Sequence, residues 1–249
     1  WPTGGGIAMA AGRRKVVIFD IGGVIADSPI VAIRKFCLQA GIADVNPFLG
    51  RCAAWSAFMQ GKMTPADFPL AVHQECVQTG YQDGIRLGVR GWKGMLESVG
   101  ADGYRPLMIR CLRRLREAGF KLVALTNNFD SSPLPDAAAQ AKAEAEQQKF
   151  VALFDHFVES RVVGLTKPDL RFYEHALREA GCAASDAIFL DDIGANLKTA
   201  RSMGIHTILV RNDTDTSFHE ALRELESLTG VALVSDGVGS QAQAGQSRL

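Results

Sequence analysis

Four polar elements stand far apart in this chain, each at the end of an apolar run or just ahead of a helix. Asp20 closes the run Val16-Val17-Ile18-Phe19, and Thr126 closes one that begins at Lys121. Asp191 and Asp192 follow Ala187-Ile188-Phe189-Leu190, and Lys167 lies in Gly164-Leu165-Thr166-Lys167-Pro168. Singly, each has an ordinary use: Asp20 in a turn, Thr126 or the aspartate pair as a helix cap, Lys167 as a surface charge. Together they are the parts of a phosphoryl-transfer site. A carboxylate can attack phosphorus and divide hydrolysis into two easier steps through an aspartyl-phosphate. Mg²⁺ takes oxygen ligands and usually only one or two protein carboxylates, so Asp20 with Asp191 or Asp192 would suffice. Lys167 and the Thr126 hydroxyl would orient and neutralise phosphoryl oxygens. Backbone N–H groups of the Gly22-Gly23 turn could add donors.

Such a site needs elements that bring these residues to one edge. The apolar runs at 16–19, 121–126, 157–158, 187–190 and 207–210 read as strands. Between them, helical patterns occupy 107–118, a segment from Pro168 to Gly181, a segment ending at Gly204, and 217–228. Alternation of strands with helices of about ten residues predicts an α/β fold with a Rossmann-like, doubly wound parallel sheet. In open sheets of that kind, sites lie outside the carboxyl ends of the strands. Residues 28–100 break the alternation with helical stretches and no strand, so they read as an inserted helical subdomain. There, Thr64-Pro65-Ala66-Asp67 suggests a helix start, with Pro69 awkwardly deep inside it. The Ala-, Gln-, Glu- and Lys-rich stretch at 136–149 has strong helix propensity. The expected organisation is a tail at 1–14, a core at 15–27 and 101–230, a helical cap at 28–100, and a C-terminal tail at 231–249.

The four elements resemble the haloacid dehalogenase superfamily of phosphohydrolases. The resemblance is carried by Val17-Ile18-Phe19-Asp20-Ile21-Gly22-Gly23-Val24, by Leu125-Thr126-Asn127-Asn128, by Gly164-Leu165-Thr166-Lys167-Pro168-Asp169, and by Phe189-Leu190-Asp191-Asp192-Ile193-Gly194-Ala195-Asn196-Leu197-Lys198. The last two are similar to the N-terminal phosphatase domain of soluble epoxide hydrolases and to the related domain fused to some acyl-CoA dehydrogenases. The resemblance implies Asp20 as nucleophile and Mg²⁺ ligand, Thr126 as the phosphoryl-binding hydroxyl with Asn127 beside it, and Lys167 as the charge-neutralising lysine. It implies Asp192 as metal ligand with Asp191 its neighbour, and Asn196 as a polar group behind them. It makes residues 28–100 the cap that closes over the site and selects substrate.

One position departs from that pattern. Phosphatases of the family usually carry an aspartate two residues after the nucleophile, and it protonates the leaving alcohol; here that residue is Gly22. The Gly22 carbonyl can still coordinate a metal, but glycine has no proton to give. General acid catalysis contributes roughly 10²–10⁴-fold, so slow turnover of alkyl phosphates is expected. Asp27, a few residues on, is a conceivable substitute acid, at a point where the chain is expected to have left the site. The reading is therefore a Mg²⁺-dependent phosphohydrolase of slow or selective activity. The alternatives are a catalytically weak phosphate-binding or interaction domain and a metal-free dehalogenase.

The site reading and the resemblance imply a small-molecule phosphate as partner, and composition points to no macromolecular one. In 249 residues, 27 Lys plus Arg balance 27 Asp plus Glu, which gives no reason to expect nucleic acid or an anionic membrane surface. No apolar run approaches the ~20 residues of a membrane span. Five scattered cysteines without a C-x-x-C pair read as reduced thiols and suggest a cytoplasmic setting. Five isolated histidines form no metal motif. Trp55, Phe58, Met59 and Phe68 read equally as pocket lining or as the cap's own core.

Overall fold

The computed structural model describes residues 15–99, 103–130, 136–211 and 215–234. The tails expected at 1–14 and from 235 onward lie outside them, as does the expected boundary near residue 100. Strand β1 (Val16–Phe19) is followed by five helices: α1 (Pro29–Gln39), α2 (Asn46–Leu49), α3 (Ala53–Met59), α4 (Phe68–Thr79) and α5 (Gln82–Ser98). Then come α6 (Pro106–Glu117), β2 (Lys121–Thr126), α7 (Ala137–Val151), β3 (His156–Glu159), α8 (Ser160–Val163) and α9 (Leu170–Ala180). The chain continues through β4 (Ala187–Asp191), α10 (Gly194–Ser202), β5 (His206–Leu209) and α11 (Asp215–Thr229).

The strands form one parallel sheet in the order β3-β2-β1-β4-β5. Side chains alternate across a strand, and here both faces are covered. Val17 and Phe19 point into a cluster with Met108, Leu112 and Leu115 of α6 and Leu222 and Leu225 of α11. Val16 and Ile18 point into the opposite cluster, with Phe172, Tyr173 and Ala176 of α9 and Leu197 and Ala200 of α10. This two-sided burial is why the strands read as continuous apolar runs.

Helices α1 to α5 enclose a third cluster built on Ile33, Cys37, Phe58, Phe68, Val72, Trp92 and Met95. Trp92 is fully buried, and its indole N–H donates to the Gly84 carbonyl at 3.1 Å. Phe58 and Phe68 belong to this core, while Trp55 and Met59 remain partly exposed. Cys37, Cys52, Cys76 and Cys111 are buried free thiols, and Cys182 is partly exposed. No described helix is long and apolar enough to cross a membrane.

Three expectations are corrected. The helix anticipated from Thr64 starts at Phe68 with Asp67 at its N-cap position, which places Pro69 in the first turn. Only there is the missing proline N–H harmless. The Thr64 hydroxyl instead donates to the Asp67 carboxylate at 2.6 Å and closes the preceding turn. Pro168 does not open a helix either. Asp169 caps α9, accepting from the Arg171 N–H at 3.0 Å, and Pro168 precedes the cap. Residues 231–234, expected within the tail, pack on the core. Leu233 is buried, Val231 and Val234 flank it, and the Leu233 and Val234 N–H groups donate to Glu226.

Candidate active site

Strands β2, β1 and β4 are adjacent and parallel, so their carboxyl ends share one edge. Phe19 is in register with Ala124 on one side and Leu190 on the other. Asp20 continues that register, its N–H donating to the Leu190 carbonyl at 2.9 Å. The edge therefore gathers Asp20, Thr126, Asp191 and Asp192 from three strand ends. The loop before α9 supplies Lys167.

The ammonium of Lys167 lies 2.9 Å from Asp20 Oδ1 and 2.8 Å from Asp191 Oδ2. All three groups are buried. Asp191 is the most constrained: it accepts the Ile193 N–H at 2.7 Å, and both its oxygens lie 3.1 Å from the Asn196 amide nitrogen. Tyr173 donates to the Asn196 carbonyl at 2.9 Å, which ties this group to α9. Thr126 is buried as a residue, and its hydroxyl makes no hydrogen bond with a described residue.

One ligand oxygen from each of Asp20, Asp191 and Asp192 lies within 4.8 Å of the others. Three carboxylates and one ammonium leave a net charge of −2 when all are ionised, which a divalent cation would neutralise. The donor set is all oxygen, as a hard cation such as Mg²⁺ requires. Burial pushes the Asp20 carboxyl up to about 7, against the pull of Lys167 and reinforced by Asp191 and Asp192. Burial, then Asp191, raise Asp192 to about 6, while Lys167 and the nearby Ser28 hydroxyl act the other way. Burial alone would lower the Lys167 ammonium, but Asp20 and Asp191 outweigh it and hold it above the ordinary lysine value. The site is thus an over-charged acidic cluster around one lysine.

Two expected substrate contacts are otherwise engaged. Asn127 uses both ends of its amide on the Lys167 backbone: Nδ2 donates to the carbonyl at 2.9 Å, and Oδ1 accepts the N–H at 2.8 Å. It clamps the lysine loop to the end of β2. The Gly23 N–H donates to the Ala26 carbonyl at 2.8 Å, so it is not free for a phosphate. Gly23 matters for another reason. Its φ is +81°, and a Cβ there would fall 2.0 Å from Asp192 Oδ2. Only glycine lets the backbone pass this close to that carboxylate. Asp27 faces outward, 3.4 Å from Arg105.

Sequence reading missed Ser28, Ser160 and Tyr173. Ser28 precedes Pro29 at the start of α1, a cap-like pair that could have been noticed. Ser160 gives no local signal. It is fully buried, donates to the Met59 carbonyl at 2.6 Å and accepts the Asn128 N–H at 2.9 Å. It thereby joins α3 to the loop that carries Thr126 and Asn127. Phe129 of the same loop stacks on Phe58 at 4.8 Å, and a Cβ on Gly61 would meet the Arg161 carbonyl oxygen at 2.1 Å. The five-helix insert is thus seated against the edge that holds the site. A cleft of about 910 Å³ opens at the opposite edge, beside Lys15, Lys121 and Cys182, and includes none of the site residues.

A family model described as haloacid dehalogenase-like hydrolase matches residues 14–204. Acyl-CoA dehydrogenase family member 10 of Mus musculus is 31% identical over 94% of this chain and 20% of its own length. Bifunctional epoxide hydrolase 2 of Sus scrofa is 31% identical over 88% of this chain and 40% of its own. The chain therefore spans well under half the length of these two relatives. Sesquiterpene phosphatase astK of Aspergillus oryzae is 31% identical over 77% of this chain and 87% of its own length.

Proposed function

Because the chain belongs to the haloacid dehalogenase-like hydrolases, we propose that it is a Mg²⁺-dependent phosphohydrolase acting on a small phosphorylated metabolite through an aspartyl-phosphate on Asp20. The observation that carries this reading is the buried Asp20–Lys167–Asp191 group beside an unpartnered Thr126 hydroxyl, with Asp192 completing an acidic cluster. The phosphatase relative, aligned over most of both chains, supports the reaction class.

In the first step an Asp20 oxygen bonds to phosphorus and the bond to the leaving oxygen breaks. In the second, water bonds to phosphorus, the Asp20–phosphorus bond breaks, and the water's proton is released with the phosphate. Lys167 holds Asp20 in place and offsets charge on the phosphoryl oxygens. The Thr126 hydroxyl donates to one of them. Asn127 positions the lysine through its backbone, and Asn196 positions Asp191. Asp20, Asp192 and the Gly22 carbonyl would hold Mg²⁺, whose charge would neutralise the bound phosphate. Asp191 has its oxygens occupied by Lys167, Asn196 and Ile193, so it orients the lysine in preference to ligating the metal. Residues 28–100 act as the cap, joined to the core through Ser160 and Phe129.

The test is hydrolysis of 4-nitrophenyl phosphate with Mg²⁺ and with chelator, by the protein and by Asp20→Asn. Metal-dependent turnover that disappears in the variant supports the reading. Turnover indifferent to both chelation and substitution would overturn it.

A further inference from the structure

Position 22 has no side chain, and the structure gives a reason that lies outside the strand ends. Gly22 does not have the positive φ that would itself require glycine; the obstacle is space. A Cβ placed there would lie 2.7 Å from Pro29 Cδ and 3.3 Å from Pro29 Cγ. A contact below 3.0 Å is cheap when the opposing atom ends a flexible chain. The proline ring is bonded to its own backbone and has no torsion by which to swing away. Nor can the backbone yield freely. Pro29 begins α1, which is anchored by buried Ile33 and Cys37, and Ser28 before it is itself buried, its carbonyl accepting the Val31 N–H at 3.0 Å.

The other carboxyl groups at this edge are committed. Asp191 is bonded to Lys167, Asn196 and the Ile193 N–H. Glu159, at the end of β3, is bonded to Arg161 and Asn128. Asp27 faces Arg105 with its side chain 64% exposed. Asp20 and Asp192 have the roles described above.

We infer that Pro29 is a specificity-determining residue: its ring closes position 22 to any proton-donating side chain and restricts the site to phosphates whose leaving group departs without an enzymic proton, namely acyl and aryl phosphates. The substrate class rests on the phosphohydrolase reading; the steric pairing of Gly22 with Pro29 does not. The pair also makes the absence of an acid a built property of the fold, because a single substitution at 22 cannot restore one.

The experiment compares the protein with Gly22→Asp, Pro29→Ala and the double variant. Its readouts are Tm and Mg²⁺-dependent turnover of acetyl phosphate, 4-nitrophenyl phosphate and glycerol 3-phosphate. The protein should hydrolyse the first two at least ~10²-fold faster than glycerol 3-phosphate. Gly22→Asp alone should lose about 2–10 °C in Tm through overpacking and gain no alkyl activity. Pro29→Ala should keep the acyl and aryl preference. The double variant should recover Tm and raise glycerol 3-phosphate turnover by ~10²-fold or more. An unchanged Tm for Gly22→Asp, or a folded double variant with no gain on glycerol 3-phosphate, would overturn the inference. If the unaltered protein hydrolyses none of the three, the phosphohydrolase reading and the substrate class fall together. The Tm comparison still decides whether Pro29 closes position 22.

Discussion

Replacing Lys167 with methionine should expose the electrostatic design of the site. Methionine keeps an unbranched apolar stem and removes only the ammonium. That ammonium is 1% exposed and lies within 2.9 Å of two carboxylates whose side chains are 9% and 0% exposed. Removing one partner of such a buried group costs ~3–5 kcal/mol, because the remaining charges stay uncompensated. At ~2–4 °C per kcal/mol for a chain of this size, Tm should fall by about 6–20 °C at pH 8. The deficit must depend on pH. Burial already places Asp20 at about 7 despite the opposing pull of Lys167; without the lysine it moves further up. Its unfolded value is near 3.8. Between those values the folded state binds more protons than the unfolded one, so stability falls as pH rises. The variant's deficit should therefore be smaller at pH 5.5 than at pH 8. Mg²⁺ should restore part of the loss at pH 8, by ~2.7 kcal/mol if supplied at a hundred times its Kd. The assay is thermal unfolding at both pH values, with chelator and with Mg²⁺. A deficit under 2 °C at pH 8, or one that grows on acidification, would refute the assignment of Lys167 as the cluster's counter-charge.

Further tests probe the supports of the site. Gly23→Ala should weaken Mg²⁺ binding at least ~10-fold by calorimetry, since its Cβ would fall 2.0 Å from Asp192 Oδ2 at a φ that alone costs ~1–2 kcal/mol. Ser160→Ala should cost ~1–3 kcal/mol in chemical denaturation, because it leaves the part-buried Met59 carbonyl and Asn128 N–H without their shared, fully buried partner. Glu75 accepts the Ala53 and Ala54 N–H groups at 2.8 Å, and these bonds outweigh its burial and lower its pKa. Its contribution is present above the unfolded value of about 4.5 and is lost as pH falls through the lower folded value. Glu75→Gln should thus lower Tm at pH 7 and flatten its decline on acidification.

Much of the architecture was legible because burial leaves a periodic mark. Val16 to Phe19 and Ala187 to Leu190 are apolar at every position since helices cover both sheet faces. Asp20, Thr126 and Asp191 stood out because each ends such a run, where a parallel sheet opens onto its site. Lys167 was visible only through its motif, since a lone lysine before a helix has no periodicity to betray burial. Helix starts were read less well. Thr64 and Pro168 both carry the signals of a first turn, yet Asp67 and Asp169 took the N-cap positions. Several polar residues near those boundaries could close the turn, and packing of the helix selects among them.

Sequence by itself determined the strand order of chemistry: which residue types stand at which strand ends, and that position 22 lacks an acid. Those are local facts, set by residue identity and by a pattern of burial that repeats every two or 3.6 residues. Tertiary structure alone decided how the polar groups are paired. Asn127 turned out to clamp Lys167 across 40 residues, and Ser160 to hold Met59 across 101. It also decided that Pro29 fills the space beside Gly22 and that Asp192 fills the space beside Gly23. A hydrogen bond or a steric contact depends on separations of a few tenths of an ångström between atoms distant in the chain. No periodicity encodes such separations; they exist only once the helical insert and the sheet have packed together.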